Sequence, residues 1–265
     1  MTNEPAEDPP EAIDWLGQPL DCTICRNAEM LAAGRCKATY ACAFDRYAKR
    51  IARFFSWNPA TADEYVNHPY FEVRAIIARH VNVFNLQRLA QDPDETVRLS
   101  AVTRLSQAQL RKLVVDPDRE VRIRVAQRLD VSELADLMFD VDYFVRSIVA
   151  RRLPAGLLRK LINDTDAEVR RQVAKRIDEE GLLAMYADEE ADVRLIVAQR
   201  MRSALLHLVA DDTDWRVRFE VARRTEDASL LALLTADEDP MVREAATQRT
   251  TGYGPLAVVG RLAGQ

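Results

Sequence analysis

From residue 61 onward, apolar and polar positions recur with a fixed period. The dipeptide Val-Arg stands at Val73-Arg74, Val97-Arg98, Val121-Arg122, Val145-Arg146, Val169-Arg170, Val193-Arg194, Val217-Arg218 and Val242-Arg243, with six intervals of 24 residues and a last one of 25. Self-similarity at such a period marks a solenoid, in which each unit buries its apolar face only against its neighbours. With Val as position zero, further apolar residues fall at plus four and plus eight, on one arc of a helix. Leucines follow at plus thirteen and plus sixteen, as Leu86 and Leu89, Leu110 and Leu113, Leu134 and Leu137, Leu158 and Leu161, and Leu230 and Leu233. The run D-P-D-x-x-V at Asp92 and Asp116 is a helix start, with an Asp cap, acids at the positive end and proline where a missing N–H does no harm. The pattern predicts an α-helix to about plus nine. The remaining dozen or so residues must turn twice, which leaves room for one short, 3-10-like segment around the leucines rather than a second full helix.

Two arginine rows run through the repeats. Arg at plus one occurs in all eight, at about 100° from the Val and therefore inside the apolar arc. A guanidinium there needs a partner, because an unpaired buried charge is very costly. The recurrent Asp at minus five supplies one. The predicted ladder joins Arg98, Arg122, Arg146, Arg170, Arg194 and Arg218 to Asp92, Asp116, Asp140, Asp164, Asp188 and Asp212, or to carbonyls, within a repeat or between neighbours. The rival reading is a periodic basic stripe that follows phosphates. The second row, at plus seven (Arg104, Arg128, Arg152, Arg176, Arg200, Arg224 and Arg249, with His80 in the first repeat), lies at the edge of the arc and is the one left to meet them.

The candidate chemistry precedes the repeats. All four cysteines, Cys22, Cys25, Cys36 and Cys42, form a single set spaced C-x2-C-x10-C-x5-C. In a reducing compartment two structural disulfides are disfavoured and a metal site leads. Four thiolates suit either zinc or iron with sulfide; the spacing departs from a zinc ribbon's second C-x2-C and from the ferredoxin run alike, so both stay open on the residues alone. Seven basic against three acidic residues between 21 and 57 make this segment positive. Such a face either is ordinarily solvated or docks an acidic partner.

Composition narrows the class. Thirty per cent charged residues, only 8 Gly and 7% aromatics favour helices over a large sheet. No apolar run approaches the roughly 20 residues that cross a bilayer. The stretch MTNEPAEDPPEAID carries five acids and no base, unlike a targeting peptide, so residues 1–14 read as an acidic flexible tail of a cytoplasmic protein. The expected organisation is the tail at 1–14, a metal module at 15–60 and eight repeats at 61–265.

The four cysteines, followed directly by units such as DPDREVRIRVAQRLDVSELADLMF at Asp116 to Phe139, resemble the leucine-rich repeat variant family with an amino-terminal iron–sulfur cluster. The resemblance implies a [4Fe–4S] cluster on Cys22, Cys25, Cys36 and Cys42 in preference to zinc, and an all-α, right-handed solenoid of alternating α and 3-10 helices without a sheet. It also implies a link with nitrogen-fixing bacteria. A short HEAT-type two-helix solenoid is the alternative fold. His68 and His80 replace the Asp and Arg of the first repeat, and Gly252, Gly254 and Pro255 interrupt the last; both departures read as terminal capping, not as metal ligands.

No phosphate-binding glycine loop, dinucleotide fingerprint, nucleophile elbow or H-E-x-x-H occurs, and the D-x-D pairs lack the Gly and closing Glu of a calcium loop. Trp15, Trp57 and Trp215 read as packing residues. The expectation is a non-enzymatic scaffold that binds a protein partner and carries a redox-sensing, electron-transfer or structural cluster. Nucleic acid is the disfavoured alternative partner, because the repeat region is itself net acidic. No pattern names the partner or an oligomeric state.

Overall fold

The structure is a computed structural model that describes residues 11–251. Residues 1–10 of the acidic tail, and Gly252, Gly254 and Pro255, lie outside the described residues. Among the described residues the chain is helical throughout, with two isolated β-bridges, Ile13 to Pro19 and Lys37 to Ala41, and no strand. No helix is long and apolar enough to cross a membrane.

Contacts divide the chain into two compact units, Met1–Asp130 and Val131–Gln265. The first unit holds both the expected metal module and the first repeats, on either side of the 60/61 position. In the first unit an aromatic core runs across it: Phe54 and Phe55 of the helix Ala48–Trp57 meet Tyr65 at ring-centroid distances of 6.3 and 5.1 Å, and Phe44 meets both Tyr65 and His68. The tail also ends earlier than expected. The Glu11 carbonyl accepts from Arg50, the Ile13 carbonyl from the Arg46 N–H, and the Asp14 carboxylate from the N–H groups of Leu16 and Gln18.

Within each unit the repeats share one design. In the first unit the leading helices are Phe71–Ile77, Glu95–Val102 and Arg119–Arg128; in the second they include Tyr143–Arg152, Ala167–Ala174, Ala191–Arg200 and Trp215–Arg224. The acid at minus three is the cap: Asp94, Asp118, Asp142, Asp166, Asp214 and Asp239 accept N–H groups of their own first turns. The Asp at minus five instead takes the backbone N–H of the residue at minus three, as Asp116 does from Asp118 at 2.9 Å. These helices stop by plus seven, not plus nine, and the last leading helix, Pro240–Thr250, reaches plus eight. Residue plus eight turns to extended backbone, as at Leu129, Leu153, Met201 and Thr225, and each of these side chains is fully or almost fully buried. Burial of that residue pulls the chain out of the helix.

The second segment never exceeds seven residues among the described repeats, so the two-full-helix alternative is not adopted. Its type follows its cap. Val83–Leu89, Glu179–Leu183 and Ala228–Leu234 are α-helical behind Asn82, Asp178 and Asp227, whose side chains accept first-turn N–H groups. Ala155–Leu161 and Ser203–Val209 are 3-10 behind Pro154 and Arg202, which make no such bond. The leucines at plus thirteen and plus sixteen are core residues, with one correction: in the seventh repeat Leu231 and Leu234 are buried, whereas Leu233 is 72% exposed. The 25-residue interval places its extra residue before this segment and shifts the register by one.

The plus-one arginines are bidentate on the next repeat's Asp. In the first unit Arg74 Nε and Nη2 donate to Asp92 at 2.7 and 2.9 Å, and Arg98 to Asp116 at 2.8 and 2.9 Å. Arg122 donates through Nη1 to the Asp116 carbonyl at 2.8 Å. In the second unit Arg146 pairs with Asp164, Arg170 with Asp188, Arg194 with Asp212 and Arg218 with Asp237. Asp140 contributes its carbonyl, which accepts from Arg146 Nη1 at 2.8 Å. Every third nitrogen thus reaches back to the carbonyl of the Asp in its own repeat, as Arg170 does to Asp164 and Arg218 to Asp212. The paired side chains keep little exposure, 11% and 5% at Arg146 and Asp164.

The plus-seven row stays partly exposed, with Arg104, Arg176 and Arg200 at the surface, but its guanidinium groups are tied to backbone carbonyls. Arg104 donates to the carbonyls of Ala78 and Val81 at 2.9 Å, Arg176 to Ala150 at 2.7 Å, Arg200 to Ala174 and Ile177, and Arg224 to Ala198 and Met201. Arg128 and Arg249 bond Val102 and Arg223 in the same way. These acceptors end the preceding repeat's leading helix, where carbonyls lack an intrahelical partner and a cation complements the dipole. Arg146→Ala should cost about 3 kcal/mol or more by orphaning the Asp164 carboxylate, against under about 0.5 kcal/mol for the exposed Lys175→Ala. Urea denaturation of both variants measures this, and equal small losses would contradict the buried pairing.

Candidate metal centre

The cysteine segment is held by short-range bonds rather than by long elements. Gly17, at φ 82°, closes the turn that joins Ile13 to Pro19 and brings Leu20 onto the Ala12 carbonyl, directly before Cys22. Cys25 opens the turn into the short helix Ala28–Ala32, its carbonyl accepting from the Ala28 N–H. Cys36 and Cys42 flank a tight hairpin in which Lys37 and Ala41 exchange backbone bonds at 2.9 and 2.8 Å, with Thr39 in the left-handed region at φ 62°. The Cys42 N–H donates to the Arg50 carbonyl at 3.2 Å. Beneath it Arg50 and Asp45 form an ion pair at 2.9 Å with both side chains fully buried. One of the seven basic residues of the segment is therefore structural.

The structure brings all four sequence-predicted cysteines together. Cys22, Cys25 and Cys42 line a hollow of about 280 Å³ with Trp15, Leu20, Arg26 and Phe44. Cys36 joins them through a hydrogen bond with Cys42, and both are buried, at 7% and 5% exposure. Backbone N–H groups donate to three sulfurs: Asn27 to Cys25 at 3.4 Å, Lys37 to Cys36 and Phe44 to Cys42. The hydrogen bond with Cys36, and then burial, pushes the Cys42 thiol up, while the same bond lowers Cys36. Burial, and then the neighbouring Cys42 and Cys25, raises Cys22. Four thiols packed this way resist losing all their protons unless a positive centre balances them. Iron or zinc would supply that balance.

Two orphaned donors add to the fit. Asn27 Nδ2 and His68 Nε2 are buried without a hydrogen-bond partner. Asn27 adjoins Cys25 through its backbone and receives the Tyr65 hydroxyl at 2.9 Å on Oδ1. His68 packs edge-on against Trp15 at 4.7 Å and near Phe44 at 5.6 Å, both of which line the hollow. Its Nδ1 accepts the Tyr70 N–H at 3.2 Å, so the proton of the neutral ring sits on Nε2. Burial pushes His68 down to about 4, so the ring is neutral at neutral pH. The sulfurs of metal-bound thiolates, or of a bound sulfide, would give such donors an acceptor. The four cysteines neighbour one another, although among the described residues no three His, Cys, Asp or Glu side chains are placed closely enough to hold a metal ion. Sequence reasoning set His68 aside as a capping residue and did not single out Asn27. The only sequence signal for either was position, two residues after Cys25 for Asn27 and the displaced Asp for His68. Of the tryptophans, Trp15 packs as expected, while Trp57 and Trp215 are 43% and 42% exposed.

Fold and centre together define a helical-repeat protein with a four-cysteine iron–sulfur module at its amino-terminal end. Residues 12–64 match the family described as LRV protein FeS4 cluster. A solved structure, described as a leucine-rich repeat variant with a novel repetitive protein structural motif, is 40% identical with a TM-score of 0.81, over 87% of this chain and 98% of that one. The chain belongs to the leucine-rich repeat variant family. It is also 52% identical over 99 residues to an uncharacterized 27.7 kDa protein in the nifB 3′ region of Rhodobacter capsulatus. That match spans 37% of this chain and 40% of the relative, less than half of the relative's length.

In the iron-loaded protein, His68→Phe should keep the cluster and lower its reduction potential, because a hydrogen bond to sulfur favours the more negative, reduced state. Spectroelectrochemical titration reads the change. An unaltered potential would mean that His68 Nε2 does not reach the centre.

Proposed function

We propose that the chain is a non-enzymatic iron–sulfur protein in which Cys22, Cys25, Cys36 and Cys42 hold a [4Fe–4S] cluster, and in which the repeats bind a protein partner. The cluster supplies one-electron chemistry when bound. The chain's own residues ligate it through four thiolates, exclude water with Trp15 and Phe44, and donate hydrogen bonds through backbone N–H groups. The buried thiols fit a reducing, cytoplasmic setting. The relative in the nifB 3′ region supports a nitrogen-fixation context.

The protein-binding reading is carried by one observation: in both units the described arginines of both rows are engaged within the fold, on Asp carboxylates or on helix-end carbonyls. A solenoid that tracks phosphates needs those rows free. Anaerobically purified protein should contain about four irons and four labile sulfides per chain. Cys36→Ser should lose them while the far-ultraviolet helical signal persists, since each repeat is supported mainly by its neighbours. Stoichiometric zinc without sulfide, or global unfolding of Cys36→Ser, would overturn the assignment.

A further inference from the structure

We propose that the basic surface running from the cysteine hairpin into the groove beside it docks an acidic one-electron carrier protein. This inference rests on the iron–sulfur reading above and adds the partner's chemistry and its place on the chain.

The first observation is an exposed aromatic pair at the hairpin between Cys36 and Cys42. Tyr40 is 44% exposed and Trp57 43%, with ring centroids 5.7 Å apart. The Arg53 guanidinium lies over the Tyr40 ring at 3.8 Å, and Arg53 Nη1 donates to the Tyr40 carbonyl at 2.7 Å. Lys37 Nζ approaches the same ring at 5.5 Å. Large aromatic groups stacked under cations cost burial opportunity on a free surface and are enriched where a partner will cover them. Both ends of this hairpin are the cysteines assigned to the cluster, and Tyr40 stands two residues before Cys42.

The second observation is the groove that continues from Arg53. It has a volume of about 750 Å³ and lies among the helices Ala48–Trp57, Phe71–Ile77 and Glu95–Val102. Small residues such as Ala52, Ala75 and Ser100 form its floor, and Lys49, Arg53 and Arg79 give it positive charge against the single acid Glu72. His80 also lines it and, lowered by burial, is neutral at neutral pH. The ladder arginines meet carboxylates, whereas among the described residues no ion pair ties Lys37, Lys49, Arg53 or Arg79 to an acid. The hollow itself is bordered by Asp14, Asp21 and Arg26, and Arg26 is paired with Glu64, so it offers no comparable excess of positive charge. Charge therefore selects the hairpin side, and the position beside the cluster selects a redox protein as the occupant. In the exchange one electron leaves the reduced iron of the carrier and enters the cluster. No proton or bond is transferred.

The test uses the full-length, iron-loaded protein under anaerobic conditions, with an acidic plant-type [2Fe–2S] ferredoxin as the probe. Calorimetry should give a complex that weakens as salt rises from about 50 to about 200 mM. Lys49→Glu/Arg79→Glu should weaken it about tenfold or more and slow electron transfer in stopped flow, with iron, sulfide and helical content unchanged. Lys160→Glu/Lys175→Glu should leave it intact. Tyr40→Leu/Trp57→Leu should slow transfer more than it weakens binding. Absence of binding by protein that retains its iron and sulfide, or indifference to the Lys49/Arg79 reversal, overturns the docking surface while leaving the iron–sulfur reading in place. Duplex DNA that binds more tightly than ferredoxin, and is lost in the same reversal, assigns the surface to nucleic acid instead. Loss of iron and sulfide from the wild-type protein would count against the underlying reading, not the surface alone.

Discussion

Each repeat is pinned by a guanidinium that its apolar arc cannot tolerate alone. The plus-one arginine grips the next repeat's Asp with two nitrogens and its own repeat's carbonyl with a third, as in Arg98 on Asp116 and Asp92. The plus-seven arginine of the following helix reaches the opposite way, onto the carbonyls that end the preceding one, as in Arg104 on Ala78 and Val81. Repeats of this length have small cores, and dispersion between short helices alone leaves their register loose. Directional, charge-assisted bonds at both ends of each leading helix fix that register. They also explain why a chain with so many basic residues presents few of them in a continuous row.

The ladder leads to the metal centre. Arg74 donates to Asp92 and, through Nη1, to the carbonyl of His68 at 2.7 Å. His68 in turn packs against Trp15 and Phe44 at the hollow. The first repeat thus gives up its Asp for a buried imidazole packed against Trp15 and Phe44, and the cysteine segment shares its aromatic core with that repeat. The cysteine segment has little regular structure of its own. It is shaped by this support from outside, together with the fully buried Arg50 and Asp45 pair.

What the sequence made legible depended on whether a side chain signalled its partner. A charge on an apolar arc announces a buried ion pair, so the plus-one row and its acids were readable. The plus-seven row was not, because its acceptors are backbone carbonyls, which every residue carries. The four cysteines were readable from their clustering, but the identity of the group they hold was left between zinc and iron with sulfide. The family match points to iron with sulfide, while the buried Asn27 and His68 donors come from elements that converge only in the fold. The register error at Leu231 and Leu234 arose because a period was extended through its one irregular interval. The helix ends were placed two residues late because plus eight is apolar and fits a helical arc, although it is buried in extended backbone. Division of labour between the acids at minus five and minus three was invisible in composition, since both are the same residue type.

A double-mutant cycle on Arg98 and Asp116 tests the central interaction most directly. Arg98→Met keeps much of the apolar stem, and Asp116→Asn keeps an acceptor for the Asp118 N–H. Each single change should cost about 3 kcal/mol or more by stranding the other partner, and the double variant should lose far less than the sum, a coupling of at least about 2 kcal/mol. Additive losses would show that the two side chains do not act as one buried unit and would contradict the ladder as the element that holds the repeats in register.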